Sequence, residues 1–383
     1  MRQETQARLI RHILAQHAAQ SRDMAPAEAA VAVEDYVSAA RYEREVATIF
    51  RDYPLLVGHA SQVVRPGDFL THDLSGVPLV LLRNREGRLN AFINLCRHRG
   101  SPVQTRASGS NCRALVCPYH GWTYDLDGRL IGIPDAEGFA DIDRAERGLV
   151  AVPAVERHGL LWVRPTPGPA FDLDGFLGPI GDELSGYDIG NLKPYRPELI
   201  RSRINWKLMV DTFLETYHFK FAHSGSVAPL FLDNSLAFEH FGPHARMVTP
   251  KKTITALAGT AEAGWSLRQH SILLYLLFPN TVLVVTEDHV ATFAMFPAGP
   301  EAAALQLTFY IPELPESDKA KAYWTANADM ICTALGEDFA IGEGMQAGFH
   351  TAANRELVLG RYEICIDAFH REVAAALARN ARP

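Results

Sequence analysis

Apolar residues near the start of the chain recur with a helical period. Leu9, Ile10, Ile13 and Leu14 share one face of a segment otherwise rich in Gln, Arg and His, which predicts a docked amphipathic helix opening an arm that runs to about residue 50. Beyond it the period shortens. Apolar runs at 79–82 and 89–93 flank R-N-R-E-G-R, and runs at 122–125 and 129–133 flank L-D-G; both pairs predict β-hairpins. Pro165, Pro167 and Pro169 then punctuate the chain as a boundary would. The remainder is mixed, with a helix expected over 205–221, strands at 271–278, 281–286, 291–296 and 305–311, and helical patterning from about residue 317.

These elements divide the 383 residues into two modules, a β-rich one inserted in an α+β one, and the length is ample for both. Composition is that of a globular chain, 48% hydrophobic and 21% charged. The net charge of −7, without a long basic run, argues against nucleic acid as a partner. No apolar stretch approaches bilayer length, and the charged N-terminus has no signal-peptide core. Five cysteines, an odd number, do not suggest a disulfide framework, and a reducing cytoplasm is the expected location.

Two short motifs carry candidate chemistry. C-R-H-R-G at 96–100 and C-P-Y-H-G-W at 117–122 each offer one thiolate and one imidazole, from Cys96 and His98 and from Cys117 and His120. Zinc fingers usually pair like ligands, whereas mixed pairs suit a two-iron cluster with both thiolates on one iron and both imidazoles on the other. Zinc, or a set of buried core residues, stays open on these loops alone. Cys112 falls in neither spacing and reads as a small buried hydrophobe.

These residues resemble the Rieske [2Fe–2S] motif, and C-P-Y-H-G-W-T-Y-D-L-D-G-R-L is close to the form found in α subunits of ring-hydroxylating Rieske non-haem iron oxygenases. The implied fold is α+β. A small all-β Rieske domain (46–160) is inserted in an α+β catalytic domain (161–383) whose central antiparallel sheet is flanked by helices, with the arm 1–45 packed on it.

Further along, the segment N-W-K-L-M-V-D-T-F-L-E-T-Y-H-F-K-F-A-H holds Asp211, Glu215 and His218 on one helical face. His223 lies about 500° of turn beyond His218, so the helix must loosen or end for both imidazoles to meet one metal. Two histidines and a carboxylate leave open positions on Fe(II). The acidic pair in G-E-D-F-A-I-G-E-G-M-Q at 336–346 is the candidate carboxylate source, although such a pair also suits the opening of a helix. The resemblance favours Asp338 as the ligand over Glu337. It also implies that Glu215, where many dihydroxylating members have Asp, bridges His218 to His120 or His98 of a neighbouring chain in a head-to-tail homotrimer.

The implied activity is that of a terminal oxygenase using O2, with electrons from a separate reductase or ferredoxin, on a small organic substrate. An apolar, aromatic substrate is the first expectation and a quaternary ammonium compound the alternative; an electron carrier without oxygenase activity is a remote third. Phe213, Leu214, Phe219, Leu276, Leu283, Val285 and Phe293 are candidates for either a pocket or the core. Arg97, Arg99 and Arg106 would serve either to steer an acidic donor protein or simply as surface charge.

Overall fold

The computed structural model describes residues 1–379 and separates into two compact units. One comprises Val46–Phe176, the other Met1–Glu45 together with Leu177 onward. The three-proline stretch therefore belongs to the smaller unit, which extends past the expected end at 160. Strand Leu160–Val163 lies between Ala154–Arg157 and Leu55–His59 in a three-stranded antiparallel sheet, and beyond it Asp174 pairs with Arg157 and the Phe176 ring meets that of Tyr53 at 6.1 Å, which holds the chain to this unit as far as residue 176.

The smaller unit carries both expected hairpins. Leu79–Arg83 pairs with Leu89–Ile93 in a four-stranded sheet, and Thr123–Tyr124 pairs with Leu130–Gly132 in a three-stranded one. Phe69, Val80, Leu82, Phe92, Trp122 and Tyr124 form its core, and Cys96 and Cys117 are packed into it.

In the larger unit a seven-stranded antiparallel sheet runs in the order Lys193–Ser202, Ala302–Ile311, Val290–Gly299, Thr281–Val285, Ser271–Leu277, His244–Pro250, Ala237–Phe241. Its inner strands are apolar on both faces, as burial on both sides demands. The N-terminal helix Gln3–Ala18 buries Leu9, Ile10 and Ile13 against this unit, as its period predicts. No helix of the described residues is long and apolar enough to cross a membrane.

The expected helix over 205–221 is not continuous. Trp206–Asp211 is helical, the chain then leaves the helix, and a single turn comes next at Phe219–Ala222. The first piece is fixed at both ends. Asn205 caps it, accepting from the Lys207 amide at 3.0 Å, while the Asn205 amide donates to Gln346 Oε1 on the long helix Asp318–Phe349 at 2.9 Å. At the other end Asp211 accepts from Tyr36 Oη at 2.7 Å and from His370 Nε2 at 3.0 Å. Beneath it, Glu45 receives Lys207 Nζ at 2.7 Å and Trp206 Nε1 at 2.8 Å, with both charged side chains fully buried.

Removing one member of such a pair strands the other charge in a dry site. Glu45→Gln is therefore expected to destabilise the larger unit by about 3 kcal/mol or more, read as a lower urea midpoint. An unchanged midpoint would show that the pair adds nothing to folding.

Candidate functional site

The first site is built by two loops of the smaller unit. Each turns back on itself at a glycine in the left-handed region, Gly100 (φ +79°) and Gly121 (φ +69°), whose amides donate to the carbonyls of Cys96 and Cys117 at 2.9 and 3.0 Å. The four side chains are graded by depth. Cys96 and Cys117 are 4% and 2% exposed, whereas His98 is half-buried and His120 exposed. The two imidazoles stand 4.7 Å apart, and His98 stacks on Trp122 at 4.9 Å.

The sulfurs sit among hydrogen-bond donors. Tyr124 Oη lies 3.3 Å from Cys96 Sγ and accepts from the Arg97 amide at 2.9 Å. Burial pushes the Cys96 thiol up. Burial opposes ionisation of Cys117 too, but the Tyr119 and His120 amides aimed at its sulfur outweigh it and bring that thiol down. A donor set of buried sulfur inside and imidazole outside, with His98 Nδ1 buried and lacking a partner, fits a cluster with unlike ends. It fits a single ion poorly: among the described residues, the set of three or more such side chains whose ligand atoms lie within 4.8 Å of one another is a different one, His218, His223 and Asp338.

That second set lies in the larger unit, where the interrupted segment 212–223 meets the long helix Asp318–Phe349. Leaving the helix after Asp211 brings the two imidazoles to 5.0 Å between ring centres. Both Nε2 atoms face Asp338 Oδ1, His223 at 3.1 Å and His218 at 3.5 Å, and His218 Nε2 is buried without a hydrogen bond. The outer nitrogens are each held by another carboxylate. His218 Nδ1 donates to Glu215, and His223 Nδ1 to Glu337 at 2.7 Å. Ser226 Oγ also donates to Glu337 at 2.7 Å. A carboxylate accepting at Nδ1 fixes the proton there and turns the Nε2 lone pair inward. Burial alone would lower the His223 pKa, but Asp338 and Glu337 on either side of the ring raise it overall. Sequence reasoning weighed Glu337 only as a rival ligand and missed Ser226.

Asp211, expected on the same face as Glu215 and His218, is instead occupied by Tyr36 and His370. The hydrophobic candidates divide. Phe213, Phe219 and Phe293 line a cavity of about 540 Å³ that reaches His218, His223 and Asp338, while Leu214, Leu276, Leu283 and Val285 are buried in the core. Of the three arginines, Arg97 donates to the Gly148 carbonyl at 3.1 Å, and Arg99 and Arg106 lie over the rings of Tyr119 and Phe69. Cys112 is half-buried, packed against the core of the smaller unit with its thiol on the Ala114 carbonyl at 3.1 Å.

Comparison with known proteins accords with this arrangement. Residues 54–151 match the Rieske [2Fe-2S] domain, and residues 189–379 match the ring hydroxylating alpha subunit (catalytic domain). The chain is 37% identical over 179 residues to the glycine betaine monooxygenase oxygenase subunit of Chromohalobacter salexigens, covering 47% of this chain and 40% of that protein. It is 29% identical over 199 residues to the carnitine monooxygenase oxygenase subunit of Acinetobacter baumannii, covering 50% and 51%. The matches thus span about half the length of these curated relatives, or less. The crystal structure of a quaternary ammonium Rieske monooxygenase in complex with L-carnitine superposes with a TM-score of 0.78 at 21% identity, over 92% of this chain and 96% of that one, and so shares the fold. With both domain matches in the expected order and both sites assembled, the chain belongs to the α subunits of the Rieske non-haem iron oxygenases, a family built around a [2Fe–2S] Rieske cluster and a mononuclear iron.

Proposed function

We propose that this chain is the terminal oxygenase of a monooxygenase acting on a quaternary ammonium compound. The observation that carries the chemistry is the convergence of His218, His223 and Asp338 on one point at the wall of a cavity. The likeness to proteins named for betaine and carnitine favours that substrate class over the aromatic hydrocarbon first expected from the sequence. The cavity agrees, because carboxylates of Asp288 and Glu287 stand on a lining otherwise suited to an apolar guest.

In this reading Cys96 and Cys117 hold one iron of the cluster, His98 and His120 the other, and His218, His223 and Asp338 the mononuclear iron. When bound, the cluster supplies electrons one at a time and the iron supplies open positions for O2. The balance is one C–H bond, O2, two electrons and two protons giving one C–OH and one water, the electrons coming from a separate reductase or ferredoxin. The residues of the chain prepare this. Glu215 and Glu337 keep both Nδ1 protons in place, and Phe213, Phe219 and Phe231 present apolar surface around the site.

Glu215 serves a second role in this proposal, as the bridge to an imidazole of the next chain in a head-to-tail trimer. Beside it the surface carries Ile341, Met345 and Val358, exposed by 51, 40 and 74%, an apolar patch of the kind a second copy would cover.

His218→Ala and Asp338→Ala are each expected to lose the mononuclear iron while keeping the visible absorption and sulfide of the cluster, so that metal analysis shows about two irons per chain in place of three. Retention of all three would sink the ligand assignment. Glu215→Gln is expected to keep all three, with turnover down by about 10- to 100-fold and a cluster that no longer reoxidises promptly with substrate and O2; wild-type reoxidation would remove the bridge. The substrate class is tested by O2 consumption with a surrogate reductase on betaines, carnitine and alkyltrimethylammonium ions set against biphenyl and naphthalene. Stimulation by the aromatics alone would reverse the assignment.

A further inference from the structure

The cavity that ends on the iron site is long, and one helix measures it. Tyr323, Asn327, Ile331, Ala334 and Asp338 all line it, and their spacing places them on a single stripe of Asp318–Phe349. From Tyr323 to Asp338 that stripe rises by about 22 Å. The facing wall is apolar, formed by Met247, Ile272, Leu274 and Phe293 of the central sheet. The cavity, of about 540 Å³, is far larger than a single small betaine needs and runs long enough along the helix to take a chain.

At the end remote from Asp338 stands Asp288, in the turn that joins Thr281–Val285 to Val290–Gly299. Its carboxylate accepts from Tyr323 Oη, from His289 Nδ1 at 2.8 Å and from Thr286 Oγ1 at 3.2 Å. The His289 contact and the other donors hold it well below the usual carboxylate range, so the charge is permanent at working pH. Glu287 adds a second negative charge, and the cation on the lining is Lys251, whose Nζ donates to the Gln269 carbonyl at 3.3 Å. The Tyr323 ring is braced edge-on by Trp324 at 5.0 Å. A quaternary ammonium has no N–H to donate, so fixed charge and an aromatic face are what recognise it. A carboxylate whose lone pairs are already taken by protein donors still offers that charge.

We propose that Asp288, with the ring of Tyr323, holds the ammonium end of an elongated quaternary ammonium substrate at the outer end of this channel, so that oxygen enters a C–H bond at the far end of its apolar chain rather than at an N-methyl group. The inference rests on the quaternary ammonium reading above and adds the orientation. One oxygen atom of O2 converts the distal C–H to C–OH, and the other leaves as water with two electrons from the reductase and two protons. The nitrogen keeps all its methyl groups.

The test uses the iron-loaded full chain and alkyltrimethylammonium ions from tetramethyl to hexadecyl, with neutral tert-butyl alkanes of matched length. By calorimetry, affinity is expected to rise with chain length up to the length of the channel. Asp288→Asn is expected to weaken the long cations about tenfold and leave the neutral analogues unchanged; Tyr323→Ala, a milder change at an exposed position, is expected to weaken the cations several-fold. Turnover is expected to yield the chain-terminal or near-terminal alcohol without formaldehyde. Equal binding of the cations by Asp288→Asn and Tyr323→Ala, tetramethylammonium binding as tightly as the octyl ion, or formaldehyde formed in step with O2 uptake would each overturn the orientation while leaving the substrate class standing. Binding of biphenyl with no binding of any ammonium ion would overturn both.

Discussion

A helix that begins at Trp206 has to stop at Asp211, and the candidate iron site depends on that stop. Two imidazoles five positions apart on a regular helix point to different sides of the cylinder and cannot share a metal. The chain resolves this by committing the Asp211 carboxylate to Tyr36 and His370, which anchors the helix end and frees residues 212–218 to take another path. His218 and His223 then come from a segment that is mostly not helical, yet it is held as firmly as one. Asn205 and Gln346 tie its root to the long helix that carries Asp338, and Glu215, Glu337 and Ser226 fix the two rings from outside. Three candidate ligands from two elements thus inherit their precision from hydrogen bonds to their neighbours, as metal sites generally do.

The cluster loops obtain the same result by other means. There the candidate ligand groups are ordered by depth, sulfur within the core of the smaller unit and imidazole toward its surface. Hydrogen bonds and amide dipoles gather at the buried sulfurs, where negative charge needs support. Rigidity comes from the backbone, through two glycines that adopt a conformation a side chain would oppose.

What was legible in the sequence was local. The two mixed Cys–His pairs, their hairpins, the strands of the central sheet and the need for a break before His223 can all be read from spacing and period. The placement of that break could not, because residues 205–221 have an unbroken helical pattern and the competing partners, Tyr36 and His370, lie far away in the chain. Glu337 was ambiguous for a related reason. Adjacent acidic residues on a helix diverge by about 100°, so only the tertiary arrangement decides that Asp338 faces the imidazoles and Glu337 takes an outer nitrogen. The smaller unit runs past its expected end at 160 because Asp174 pairs with Arg157 and Phe176 with Tyr53, and neither contact is visible in local sequence. Asp288 escaped notice altogether: an acidic residue in a four-residue turn is ordinary until a cavity is seen to open beside it.

Because the helix Asp318–Phe349 carries Asp338 and also forms a wall of the channel, depth and chemistry are graduated on one ruler. Inserting or deleting a single residue between Tyr323 and Asp338 would swing one end of the stripe about 100° away from the other. Relatives that lengthen or shorten this helix between its two ends can therefore keep the stripe only in steps near whole helical turns, about three, four or seven residues at a time, and chain-length selectivity built by insertion would diversify in jumps rather than by degrees.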